Sequence, residues 1–200
     1  MSVATVMIGP ADHGRPITWA ELSNAEVQNG HRYELIDGRV YVAPAPNPNH
    51  QRVWKWIHQL LDAYSETCPN EINYVIPQCA VFVEDRSDET APEPDVAAYC
   101  DYPLDRDEVE WSEVSPVLVI EIVSPGDPDK DLVRNVELYE QVPSIREYWI
   151  FDPRDGLTNT TLRVYRRRGR KWQKPLDFGP GETYSTKLLP GFCLRIDPLA

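Results

Sequence analysis

The chain has 200 residues, 42% apolar and 10% aromatic, which is enough for one ordinary domain with a real core and excludes a chain disordered throughout. Lys and Arg number 20 against 32 Asp and Glu, a formal charge of −12, which counts against a sequence-independent nucleic-acid binder with the usual basic footprint. The longest apolar stretch, residues 116–123, is too short to cross a bilayer and is broken by Glu121, so no membrane partner is expected.

Residues 1–17 read as a loose leader. They lack the basic start and apolar run of a secretory signal, so a cytoplasmic location is expected, with residues 18–200 as a single domain. A short helix from Thr18 to Gln28 is expected, capped by Thr18 and stopped at Asn29-Gly30. Arg32–Ile36 and Arg39–Ala43 flank Asp37-Gly38, the two-residue signal of a tight hairpin. After a Pro/Asn-rich linker, 44–49, a helix over His50–Glu66 places Val53, Trp54, Ile57, Leu60, Leu61 and Tyr64 at helical spacing, with His50 opening the same face.

Strands are expected at Asn73–Ile76 and Cys79–Glu84, then at Val117–Val123, the most apolar run. Ser124-Pro125-Gly126 ends that run, and a helix follows over Asp127–Val142. Ile145–Phe151 is another strand. Leu162–Arg167 and Lys171–Lys174 form a hairpin turning at Gly169, and one or two short strands close the chain between Tyr184 and Ile196. Hairpins mixed with helices between strands make one α/β or α+β domain. Cys68, Cys79, Cys100 and Cys193 form no CxxC pair and are expected as reduced thiols.

Glu121 stands inside Val117–Val123, on the strand face of Val119 and Val123. A carboxylate buried there must be paired, protonated or bound to metal, or the strand must face partly outward. Asp95 follows Pro94, which marks a strand entry, so its side chain either caps a turn or opens the strand. Two carboxylates near the ends of paired strands can converge on one Mg2+ or Mn2+ ion, which needs only one or two protein carboxylates. Glu34 alternates with Tyr33 and Leu35, a pattern that a solvated hairpin face explains as well as a site does.

The ordered set Tyr33-Glu34-Leu35-Ile36-Asp37-Gly38, His50, Pro94-Asp95, Val119-Ile120-Glu121-Ile122-Val123-Ser124-Pro125, Tyr139, Glu147-Tyr148-Trp149-Ile150-Phe151-Asp152-Pro153 and Pro190-Gly191-Phe192 resembles the Uma-type restriction-endonuclease family of the PD-(D/E)XK nuclease superfamily. The resemblance spans residues 18–196. It implies a restriction-endonuclease-like core, a mixed central sheet flanked by helices, with the basic hairpin as an addition. It implies metal ligation by Asp95, Glu121 and the Ile122 carbonyl, a third acidic residue at Glu34, and His50 near phosphate, water or the edge of the core. It further implies a metal-dependent endonuclease acting on nucleic acid, DNA above all, and by analogy a homodimer.

One position departs from the pattern. The superfamily lysine two residues after the second carboxylate is Val123 here, and the alternative lysine on the following helix is Asn135. Asn carries no charge to polarise a nucleophile. Lys130 and Arg134 are the nearby cations, each expected to project about 100° or more away from position 135 on a regular helix, yet either can reach the site by its long stem to orient or activate the water, and both stand with Asn135 as candidate catalytic residues.

Charge is also segregated along the chain. Glu84–Glu113 holds twelve acidic residues against Arg86 and Arg106. Arg163, Arg166, Arg167, Arg168, Arg170, Lys171 and Lys174 form a stretch without acids, interleaved with Tyr165 and Trp172. Arg166–Arg168, Arg170 and Lys171 suit a phosphate-contacting arm, and equally an edge strand guarded by charge. Two other readings stand beside the nuclease: an inactive, nuclease-fold interaction protein, and a hydrolase of smaller phosphoesters using the same carboxylates.

Overall fold

The computed structural model describes residues 6–84 and 86–200. A mixed seven-stranded sheet organises the chain. In chain order its strands are β5 (Tyr74–Ile76), β6 (Val96–Tyr99), β7 (Leu118–Ile122), β8 (Glu147–Asp152), β9 (Thr161–Arg168), β10 (Lys171–Trp172) and β11 (Leu176–Phe178). They follow four strands of the N-terminal third: β1 (Met7–Ile8), β2 (Glu26–Val27), β3 (His31–Ile36) and β4 (Arg39–Pro44). The sheet runs β10-β9-β8-β7-β6-β5, with β11 also paired to β9. Within this sheet only β7 and β8 pair in parallel, so the chain between them must cross over, and it does so through the helical segment at 128–140.

Strand alternation splits the core into two layers. Leu118, Ile120 and Ile122 of β7, with Trp149 and Phe151 of β8, face Val53, Ile57 and Leu61 of the helix α2 (Pro48–Thr67). Asn47 caps that helix by accepting the His50 amide, and Pro48 supplies a preset first turn. Val119 and Val123 face the other way, against Leu138 and Tyr139 of α3 (Asn135–Glu140).

A third cluster fills the space beneath the β3–β4 hairpin, joining Leu35 and Val40 to Ile8, Ile17 and Leu22. Asp37 and Gly38, with φ of 49° and 66°, make the tight turn that their sequence announced. Residues 6–17 therefore belong to the fold rather than to a loose leader. Met7–Ile8 pairs with Glu26–Val27, and Gly14 and Ile17 donate backbone bonds to Val40 and Gly38. The strand taken up by Glu26–Val27 also shortens the expected Thr18–Gln28 helix to α1 (Trp19–Ser23), which keeps its Thr18 cap. Residues 79–83 stay extended without joining the sheet: Val81 and Val83 donate to Pro92 and Thr90, and Pro92 and Pro94 have no N–H to continue a ladder. The four cysteines are free thiols. No helix among the described residues is long and apolar enough to cross a membrane.

Candidate metal centre

The antiparallel register of β6 and β7 pairs Val96 with Ile120, which sets Asp95 opposite Glu121 at the open end of the strand pair. Two bonds lock the pair: the Asp95 amide donates to Glu121 Oε2 at 3.3 Å, and the Ile122 amide donates to Asp95 Oδ2 at 2.7 Å. Glu121 is fully buried on the face of Val119 and Val123. Its Oε1 accepts from Asn135 Nδ2 at 2.8 Å and from the Tyr139 hydroxyl at 3.0 Å. Asp95 has Arg32 on Oδ1 and His50 Nε2 at 2.9 Å from Oδ2, while Trp54 Nε1 reaches its carbonyl at 3.2 Å. His50 arrives from the first turn of α2, above the end of the sheet.

Glu34 joins this group and is not a solvated hairpin residue. Tyr33, Glu34 and Leu35 are all buried, because the hairpin packs on the third core cluster with one face and on the site with the other. Glu34 Oε1 lies 3.0 Å from Lys130 Nζ, and its Oε2 lies 2.7 Å from Arg134. Lys130 Nζ is also 3.9 Å from Glu121 Oε2 and 3.8 Å from Asp131 Oδ1.

The expectation that Lys130 points away from Asn135 fails for a definable reason. Residues Lys130–Arg134 are wound as π-helix, and the Asn135 amide donates to the Lys130 carbonyl. Positions five apart stand about 140° apart on a regular α-helix. The i→i+5 bond brings them back over one another. Lys130, Arg134 and Asn135 thus all reach the carboxylates, and the cation missing at position 135 arrives from position 130. Asp127 starts this segment by accepting the Lys130 amide at 3.3 Å.

Burial and mutual charge reshape the proton affinities. Burial raises Glu121, Asp95 and Glu34 add to the rise, and Lys130 opposes it, leaving the carboxyl pushed up to about 7. Burial alone would raise Asp95 too, but the His50 hydrogen bond and charge, then Arg32, hold it below the usual carboxylate range. Burial would lower Lys130, yet Glu121, Glu34, Asp131 and Asp95 outweigh it and keep the ammonium charged. Burial likewise raises Glu34, and Lys130 and Arg134 overcome it to lower that carboxyl.

Asp95, His50, Ile122, Lys130, Asp131 and Arg32 line one cleft of about 320 Å3. Arg32 and Asp131 escaped the sequence reading. Asp131, Asn135 and Tyr139 recur every four residues, a one-sided polar stripe on a helix, and that stripe is the signal that marks Asp131. Among the described residues no three His, Cys, Asp or Glu side chains stand together as a ready metal shell, and Arg32, His50, Lys130 and Arg134 pair with Asp95 and Glu34.

The basic hairpin is not brought to this cleft. In the β8–β9 register Arg166 pairs with Glu147, at the strand end away from Ile122 and Phe151. At about 3.3 Å per residue, the Gly169 turn lies roughly 20 Å beyond Leu162, the residue level with Ile122. Arg167 donates to the carbonyls of Tyr139, Glu140, Val142 and Ile145 and so ties down the end of α3. Lys171 pairs with Glu140, and Arg163 with Asp177. Arg168 and Arg170 form no salt bridge with any described residue.

The model of the Uma2 family, described as “putative restriction endonuclease”, matches residues 19–197. Among solved structures the fold is similar to that of a putative nuclease belonging to DUF820 from Anabaena variabilis. The TM-score is 0.64 at 19% identity, over 90% of this chain and 96% of that one. No curated protein matches the sequence.

Proposed function

The chain belongs to the Uma2 family, and on that premise we propose that it is a divalent-metal-dependent endonuclease hydrolysing phosphodiester bonds in DNA. The observation that carries this reading is the cross-strand pair Asp95–Glu121, with a charged lysine 3.9 Å from Glu121 at the head of a cleft.

The donor set suits Mg2+ or Mn2+. Asp95 and Glu121 offer hard carboxylate oxygens, and the Ile122 carbonyl belongs to the same strand end. Glu34, Asp95, Glu121 and Asp131 share this buried space with Arg32, Lys130 and Arg134, a surplus of carboxylate that a divalent cation would offset. When bound, the ion would supply Lewis-acid polarisation of the phosphate and a water of lowered pKa.

The chain's own residues supply the rest. Lys130 stays protonated, so it serves as a hydrogen-bond donor and a positive charge toward a phosphate or a water in the cleft, not as a base. Asn135 and Tyr139 hold Glu121 in one rotamer, and the Ile122 amide and His50 do the same for Asp95. Arg32 faces the cleft from the hairpin side, where it can meet a non-bridging phosphate oxygen. Arg168 and Arg170, some 20 Å away, would meet the backbone of the flanking duplex, about six nucleotide steps along a strand, not the scissile phosphate. A lysine ammonium 3.9 Å from Glu121 favours a working site over a decayed one. A panel of duplex DNA, single-stranded DNA and RNA, incubated with Mg2+ or with chelator, tests the reading. Metal-dependent cleavage of duplex DNA is expected, and no cleavage of any member would overturn it.

A further inference from the structure

We propose that the Asp131 carboxylate, rather than that of Glu34, binds the divalent cation directly, beside Asp95. This rests on the reading of the cleft as a metal-dependent nuclease centre.

The two carboxylates differ in what already satisfies them. Glu34 has Lys130 Nζ at 3.0 Å on one oxygen and Arg134 at 2.7 Å on the other, and it also accepts the Glu93 amide at 3.3 Å. A metal ion there would have to displace both Lys130 and Arg134, whereas at Asp95 only Arg32, on Oδ1, is a permanently charged partner. Asp131 is only 3% exposed, and its Oδ1 has no hydrogen-bond partner. Its nearest cation is Lys130 Nζ at 3.8 Å, beyond hydrogen-bond reach. A buried carboxylate oxygen without a donor is rare in a folded protein and calls for a ligand or an explanation.

Placement points the same way. Asp131 lines the same cleft as Asp95 and Ile122, whereas Glu121 lies behind them with no exposed surface. The Asp131 backbone is pinned: its carbonyl accepts the Tyr148 hydroxyl at 2.8 Å, and the neighbouring Lys130 carbonyl accepts the i→i+5 bond. The carboxylate is therefore presented to the cleft by a fixed frame.

Mn2+ titration calorimetry and thermal melting of the whole chain test this, on wild type, Asp131→Asn, Asp131→Glu and Asp95→Asn. Asp131→Asn removes a buried charge from among like charges, so without metal it should melt at or above wild type. Its Mn2+ affinity should fall at least about tenfold, and the rise in melting temperature on adding Mn2+ should shrink with it. Asp131→Glu keeps the carboxylate and should bind Mn2+ far better than Asp131→Asn. Wild-type affinity in Asp131→Asn, with binding lost in Asp95→Asn, would overturn the assignment while leaving the nuclease reading intact. A metal-free Asp131→Asn that melts well below wild type, or fails to fold, would mark a structural carboxylate and also overturn it. A wild type that binds no Mn2+ would remove both readings.

Discussion

Replacing Lys130 with methionine keeps most of the side-chain volume and removes one buried positive charge. That charge stands 3.0 Å from Glu34, 3.9 Å from Glu121 and 3.8 Å from Asp131. Breaking a buried ion pair from one side costs about 3–5 kcal/mol. Glu34 keeps Arg134, so the lower end, about 3 kcal/mol, is expected, equivalent to a melting temperature roughly 6–12 °C lower for a chain of this size.

The deficit should also depend on pH. Glu121 already has a folded-state pKa raised from 4.5 to about 7, so the folded state holds protons that the unfolded state releases, and stability falls as pH rises through that window. Without the opposing Lys130 charge the rise is larger and extends further, so the loss at pH 8 should exceed the loss at pH 6. Turnover on plasmid DNA with Mg2+ should fall by about 10²–10³, the range for removing one preorganised donor to developing charge. Calorimetric melts at both pH values and a nicking assay measure all three. A Lys130→Met protein as stable and as active as wild type, or equally destabilised at both pH values, would refute the role given to this ammonium.

The hairpin offers a contrast between structural and exposed arginines. Arg167→Ala loses bonds to four carbonyls and should destabilise the domain by about 2–3 kcal/mol in urea titrations. The pair Arg168→Ala and Arg170→Ala should leave stability within about 0.5 kcal/mol per site. It should lower the slope of log affinity for duplex DNA against log salt by about 2, and an unchanged slope would exclude this arm from binding. Glu93 supplies a further test. Burial first, then Glu34, push its carboxyl up to about 8, with Arg32 and Lys130 opposing. Its raised folded-state pKa means stability is lost as pH rises from about 4.5 to about 8, and Glu93→Gln should remove that share of the slope, on the order of 5 kcal/mol. Parallel pH profiles in wild type and variant would contradict this.

Much of the sheet and most of the site were legible because they rest on local rules. The Asp37-Gly38 turn follows from backbone conformation, α2 from its apolar period, though it begins at Pro48 and not at His50, and the burial of Glu121 from alternation within an apolar strand. The convergence of Asp95 and Glu121 needed only that β6 and β7 pair, since Pro94 fixes where the strand begins. Three features depended on contacts that local pattern does not contain. Alternation alone left Glu34 open between a solvated face and a site, because it shows only one covered face, and here both faces of the hairpin are covered. Lys130 was a candidate by the reach of its stem, but its direction was misjudged because a π-helical turn leaves no mark in residue spacing. The basic hairpin stayed open between a substrate arm and a charge-guarded edge because charge in sequence does not reveal partners: Glu140, Asp177 and four carbonyls already claim Lys171, Arg163 and Arg167. The N-terminal strand at Met7–Ile8 was missed for a related reason, since two residues gain their strand character only from pairing with Glu26–Val27.

Cleavage of supercoiled plasmid by wild type, Asp95→Asn and Glu121→Gln, each with Mg2+ and each shown to be folded by its melting curve, tests the metal-nuclease assignment most directly. Wild type should nick the plasmid only with the metal present, and both variants should lose that activity by at least about 10²-fold. Undiminished Mg2+-dependent nicking by the two folded variants would contradict it.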